Sequence, residues 1–327
     1  MNNRFSFRSH GVACWGGVLV ALAASSALAG TIRHDRPDQA YRDRAALPQF
    51  ASVGSYSTGS LFGSITLIAP DWALTAAHVV DTDADGLVSD ELLSNDTVRF
   101  GAISRGVTEL FVPTGVNGNP GWNGSINSGF DIALVHLASP VTTIAPAPIY
   151  AGFQELGKTI TTVGFGQSGT GKTGAYLGTG TKRAGDNVFD QYVTFANGAT
   201  ALRYDFDEPP TDGTPRVSPN NGGSSTPLDL EYMIAPGDSG GGTFLFDQGA
   251  WHLAGVTSGL YDLFNYPNTT TDGATYGDAA LITRVSAYQQ FLYGHIPTLA
   301  AAVVPEPASL AAVVVAAIAL LSRRRRA

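Results

Sequence analysis

Ala235-Pro236-Gly237-Asp238-Ser239-Gly240-Gly241-Gly242 runs directly into an apolar stretch over residues 243–246. Glycines on both sides of Ser239 permit a sharp turn that exposes its hydroxyl. They also let the backbone N–H groups of Gly237 and Ser239 converge on one point, where they can hold the oxyanion of a tetrahedral intermediate. A plain Gly-rich hairpin is the alternative reading, but such a hairpin would rarely carry Gly-Asp-Ser-Gly-Gly immediately before an apolar strand. A serine hydroxyl is a poor nucleophile near neutral pH. It needs a base within hydrogen-bond reach, and the base needs a group that fixes its tautomer.

Upstream, Thr75-Ala76-Ala77-His78-Val79-Val80 surrounds a histidine with small and apolar residues. A lone histidine in apolar company is often structural. The other five, His10, His34, His136, His252 and His295, have no comparable setting. Phe130-Asp131-Ile132-Ala133-Leu134-Val135 places a carboxylate at the head of an apolar strand. Burying it there is expensive without a partner, and an imidazole would supply one. A solvated turn aspartate after Gly129 is the alternative.

The 327 residues carry 39 glycines, 14% charged residues and a net charge of −8. Many glycines and little charge suit a β protein with tight turns better than a helical bundle. The negative charge excludes a basic field for nucleic acid; the one Lys/Arg cluster lies at the C-terminus. Short β-branched runs bounded by Gly, Pro, Asn and Asp predict strands over 64–68, 98–100, 132–137, 159–163, 192–195, 202–206, 243–246, 253–257 and 281–285. A helix is predicted over 285–293, and a polar surface loop over 207–227. The fold class is all-β.

Arg4 and Arg8, an apolar run over 11–24 and the small-x-small triplet Ala27-Leu28-Ala29 read as a signal peptide over 1–29. The sole cysteine, Cys14, falls inside it. The mature chain would then have no disulfide, cysteine nucleophile or thiolate metal site. Residues 30–58 read as a polar N-terminal arm, 59–296 as the catalytic domain and 297–303 as a linker. Over 304–327, Val304-Pro305-Glu306-Pro307 precedes an apolar run and four arginines. The arginines favour a cytoplasmic end, with the body on the outer side of the membrane. This tail resembles the PEP-CTERM sorting tail of Gram-negative bacteria. That resemblance implies membrane insertion, recognition by an exosortase and a periplasmic, cell-surface or extracellular destination. An ordinary C-terminal anchor is the alternative.

Taken together, Thr75-Ala76-Ala77-His78, Asp131-Ile132-Ala133-Leu134 and Gly237-Asp238-Ser239-Gly240-Gly241 resemble the trypsin family, in its chain order of His, Asp and Ser. The resemblance implies two six-stranded antiparallel barrels with a cleft between them and a closing C-terminal helix. It implies peptide-bond hydrolysis through an acyl-enzyme, with no cofactor needed for catalysis. His78 would be the base, Asp131 its orienting group, Ser239 the nucleophile, and the Gly237 and Ser239 amides the oxyanion hole. Ser258 would bond near Asp131 or the substrate backbone. The position six before the serine, Met233, resembles the base of the specificity pocket, with Leu260 and Ala280 on its walls. No acid stands there, so an apolar or small side chain is expected in the substrate. Gly242 stands where the family usually has proline, and no Ile-Val-Gly-Gly-like start is present to supply an amine to Asp238. An inactive, protease-like surface protein that binds peptides is the rival reading.

Two further motifs remain. Asp81-Thr82-Asp83-Ala84-Asp85-Gly86, with Glu91 downstream, resembles a calcium loop, although Leu92 stands where the full pattern wants glutamate. Asp81, Asp83, Asp85 and Glu91 are the candidate ligands; a solvated acidic loop is the alternative. Gly166-Gln167-Ser168-Gly169-Thr170-Gly171-Lys172-Thr173 matches a phosphate-binding loop letter for letter. The Gly-rich residues after Lys172 cannot start the helix that such a loop requires, so nucleotide binding is rejected.

Overall fold

The computed structural model describes residues 30–114, 121–210, 224–261 and 273–303. The expected signal peptide over 1–29 and the expected sorting tail over 304–327 lie outside these residues. The first strands in chain order are β1 (Gly30–Ile32), β2 (Val53–Ser57), β3 (Phe62–Ala69), β4 (Trp72–Thr75), β5 (Thr97–Phe100), β6 (Ile103–Phe111) and β7 (Ala133–Leu137). Next come β8 (Thr159–Gly164), β9 (Ser168–Thr170), β10 (Gly174–Leu177), β11 (Arg183–Val188), β12 (Gln191–Thr194) and β13 (Thr200–Asp205). The last are β14 (Tyr232–Met233), β15 (Gly242–Asp247), β16 (Ala250–Tyr261) and β17 (Ala279–Arg284). Four short α-helices accompany them: α1 (Asp38–Ala45), α2 (Ala77–Val80), α3 (Gln289–His295) and α4 (Pro297–Val303).

Strands β2-β3-β4-β7-β6-β5 close into a six-stranded barrel, because β2 pairs with both β3 and β5. Tyr56, Ile65, Leu67, Leu74, Val98 and Val135 are fully buried in its core. The second half departs from the expected second six-stranded barrel. It is a seven-stranded sheet, β11-β8-β15-β16-β17-β13-β12, with a separate four-stranded sheet, β10-β9-β1-β14. The reason lies at β11. Its Asp186 N–H donates to Leu230 O (2.7 Å), and Asp186 bridges Glu231. That edge is therefore taken by the β14 approach. The Asn187 side-chain amide spans the gap to β13 by donating to Asp205 O (2.7 Å).

The segment 30–58 is not a peripheral arm. β1 runs parallel to β9 and antiparallel to β14, and Tyr41 of α1 is fully buried with its hydroxyl donating to Glu231 O (3.0 Å). β2 is a barrel stave. Its buried positions include Gly54, and both of its serines are polar, so no apolar alternation marks it in the sequence. The expected linker is helical, since α4 starts at Pro297, a residue suited to the first helical position. The start of the expected surface loop is also buried: Asp207 is 2% exposed. The helix predicted over 285–293 is a 3₁₀ turn, Val285–Tyr288, followed by α3. Among the described residues no helix is long and apolar enough to cross a membrane.

Burial, with the Asp205 and Asp190 charges adding to it, pushes the Asp207 carboxyl up to about 8. A folded-state value above the unfolded one favours folding at low pH. That contribution is lost as pH rises through about 8. Asp207→Asn should therefore raise the melting temperature at pH 8 but not at pH 4, as followed by circular dichroism. An equal shift at both pH values would contradict this.

Candidate active site

Strand pairing explains how residues far apart in sequence meet. β4 and β7 are antiparallel neighbours with Thr75 opposite Ala133, so the chain leaving β4 emerges beside the chain entering β7. His78, on α2 just past β4, thus faces Asp131, just before β7. In the second half, β15 and β16 pair with Gly242 opposite Val256, which sets the Ser239 loop beside Thr257 and Ser258. Gly240 N donates to Thr257 O (2.8 Å). Gly240 has φ +84°, and a Cβ there would lie 2.0 Å from Thr75 Oγ1. The contact with Thr75 and the left-handed backbone both demand glycine.

Asp131 is 1% exposed. Its Oδ2 lies 2.8 Å from His78 Nδ1 and accepts from Ser258 Oγ (2.5 Å), while Oδ1 accepts from His78 N (3.0 Å). Thr283 Oγ1 donates to its backbone oxygen (2.7 Å). Both carboxylate oxygens are thus satisfied inside the protein, and Nδ1 is left as the protonated ring nitrogen. Burial of the imidazole opposes its cation, but the charge and hydrogen bond of Asp131 together outweigh that. His78 is held above its ordinary value.

Ser239 sits on the turn before β15, and its backbone oxygen accepts from Ser64 N (2.7 Å). No hydrogen bond joins Ser239 Oγ to the His78 ring. Such bonds are often long without substrate and tighten in the Michaelis complex. Among the described residues, the Gly237 and Ser239 amides donate to no protein group, whereas Asp238 N between them donates to Ala235 O (2.9 Å). Two unspent donors therefore flank a fixed one. Gly237 has φ +92°, which turns its peptide as few other residues could.

Asp238 is fully buried, and among the described residues its hydrogen-bond donors are two amides and a phenol. Its Oδ1 accepts from Gly166 N (2.8 Å), and its Oδ2 from Ala235 N (2.9 Å) and the Tyr232 hydroxyl (3.1 Å). Burial nevertheless pushes this carboxyl up to about 6. Burial and the neighbouring Asp238 charge push the Tyr232 phenol well up, so Tyr232 is the donor. Tyr232 was not legible as a site residue: it becomes one only because β14 runs back under the serine loop. Ser64 also escaped notice. Its Oγ accepts from Phe165 N (2.9 Å) and donates to Gly237 O (3.0 Å), fixing the turn on which the free amides lie.

Met233, Leu260 and Ala280 gather in one cluster, with Met233 and Ala280 fully buried and Leu260 partly so. Leu260 pairs opposite Ala280. Ser258 stands apart from them, on Asp131. Asp81, Asp83 and Glu91 converge. Asp85 lies outside their group, because its Oδ1 accepts from Leu87 N (2.8 Å) in a local turn. The phosphate-loop look-alike is a hairpin of β9 and β10 with no helix after Lys172.

The sequence model of the Trypsin family matches residues 42–291. The chain belongs to the trypsin family. Its domain is that of a serine protease, a hydrolase of peptidase S1 type that acts on proteins or peptides. The trypsin-family match opens in α1, ahead of the boundary expected at residue 59, in accord with the integral place of β2 in the barrel. No curated protein matches the chain.

Tyr232→Phe removes one of three donors to the Asp238 carboxylate. It should destabilise the protein by about 1–3 kcal/mol at pH 8, where that group is charged, and by less at pH 5. Chemical denaturation at the two pH values checks this, and a pH-independent loss would contradict it.

Proposed function

We propose that this chain is an exported serine endopeptidase that cleaves peptide bonds through a His78-Asp131-Ser239 triad and an acyl-enzyme. The observation that carries this reading is the buried Asp131 carboxylate on His78 Nδ1 (2.8 Å), which leaves Nε2 as the free base. Ser239 Oγ attacks the scissile carbonyl as His78 takes its proton. Asp131 stabilises the resulting imidazolium. The Gly237 and Ser239 amides receive the oxyanion, and His78 then protonates the leaving amine. Water repeats the sequence to release the acyl group. This is the triad mechanism known from the family, applied to these residues.

Export rests on the signal-like residues 1–29. The tail over 304–327 is proposed as a sorting segment for an exosortase-type enzyme, which gives a periplasmic, cell-surface or extracellular location. Met233, Leu260 and Ala280 are proposed as pocket residues. Their apolar character favours substrates with an apolar or small side chain over Arg or Lys. One observation favours the rival reading, an inactive surface protein that binds peptides: the missing hydrogen bond between Ser239 Oγ and His78. A serine-directed phosphonate separates the two. Label on Ser239 of the native chain supports the enzyme, and an unlabelled, folded chain supports the binding protein.

Ser239→Ala should lower kcat by roughly 10⁴-fold or more while leaving the fold intact. Because His78 is held above its ordinary value, kcat/KM should fall on acidification with a midpoint above pH 6.5. A midpoint at or below the free imidazole value would contradict the Asp131 role. Peptides with Phe, Leu or Ala before the scissile bond should be cleaved faster than those with Arg or Lys. A reversed order, measured with one purified preparation, would overturn the pocket assignment.

A further inference from the structure

The loop that follows α2 carries an unusual density of negative charge. Residues 81–96 include Asp81, Asp83, Asp85, Asp90, Glu91 and Asp96, and no Lys, Arg or His. Acidic loops are common and by themselves bind nothing. This one contains a buried member. Asp81 is only 2% exposed, held from its backbone by Asp81 N donating to Ala77 O (2.9 Å). Its Oδ2 accepts from the Trp122 indole N–H (2.6 Å) and from Gly86 N (3.0 Å). Its Oδ1 is buried and has no hydrogen-bond partner among the described residues. A buried carboxylate oxygen left in that state is costly, and natural proteins rarely keep one without a purpose.

The two other carboxylates supply the purpose. Asp81, Asp83 and Glu91 each offer a carboxylate oxygen, and these oxygens lie within 4.8 Å of one another. Calcium holds oxygen at 2.3–2.6 Å, so two ligands of one ion stand at most about 5 Å apart. Glu91 is held on Thr82, the residue between the other two carboxylates in sequence, with its two oxygens accepting from Thr82 N and from Thr82 Oγ1. Asp83 is exposed and Glu91 half-exposed, which leaves the open side to water. All-oxygen, carboxylate-rich and partly hydrated, the set suits a hard divalent ion and not zinc or copper.

We propose that Asp81, Asp83 and Glu91 form a calcium site that neutralises the buried Asp81 oxygen and ties down the loop behind the His78 helix. Asp85 is not a ligand. The inference rests on the folded loop alone and stands whether or not the triad is active.

Trp122 provides the test, because an ion on Asp81 would sit within energy-transfer distance of its indole. The chain carrying Ser239→Ala, which cannot digest itself, is stripped with a chelator and titrated with terbium under tryptophan excitation. Sensitised emission should rise to saturation, fall when calcium is added, and resist the same concentration of magnesium. Asp83→Asn and Glu91→Gln, both near the surface and expected to fold, should each weaken terbium binding at least tenfold. Asp85→Asn should not. Calcium should also raise the melting temperature by several degrees, and less so in Asp83→Asn. Absence of saturable emission with a folded chain, or emission indifferent to both Asp83→Asn and Glu91→Gln, would overturn the site. Displacement by magnesium as readily as by calcium would overturn the choice of ion.

Discussion

A single buried carboxylate organises the centre of this molecule. Asp131 is buried, and three donors converge on its two oxygens. Two belong to His78, from the first barrel, and one to Ser258, from the second half. Thr283 adds a bond to the Asp131 backbone, and the Tyr288 hydroxyl bonds Gly129 O just upstream. The side chain that orients the imidazole is therefore also a joint between the halves. Removing a partner from a buried charge typically costs about 3–5 kcal/mol. Geometry at the imidazole and cohesion of the halves are thus held by the same bonds.

The serine turn depends on a second buried carboxylate handled differently. Asp238 is surrounded by neutral donors, two amides and a phenol, and burial pushes its carboxyl up to about 6. Close approach is what permits the arrangement. Gly164 and Gly166 lie so near Asp238 that a Cβ at either would fall within 3 Å of it. Tyr232, one of its donors, lies on the strand that pairs with β1, so the first described residues and the serine turn share one support.

Much of this was legible in the chain. The small-residue frame of His78, the carboxylate leading an apolar strand and the glycines around Ser239 each state a chemical requirement locally. Strands such as β3, β7 and β17 announced themselves because both their faces are buried. β2, with Val53-Gly54-Ser55-Tyr56-Ser57, and β11, with Arg183-Ala184-Gly185-Asp186-Asn187, did not. Their small and polar residues are accepted by tertiary partners, and no local pattern encodes those. The same limit hid Tyr232 and Ser64. It also hid the opposite fates of Asp81 and Asp85, alternate carboxylates of one loop, of which one is buried against Trp122 and the other spent on a turn. The second barrel failed as an expectation because the edge of β11 pairs with the approach to β14, a choice made by distant residues.

The most direct measurement is nuclear magnetic resonance of the His78 ring, labelled with nitrogen-15, in the full chain. A strongly downfield Nδ1 proton should be present on both sides of the ring's titration, which should fall above the ordinary imidazole value. Asp131→Asn should remove that downfield signal. A His78 ring that titrates like a free imidazole, with no downfield proton in the folded protein, would contradict the account.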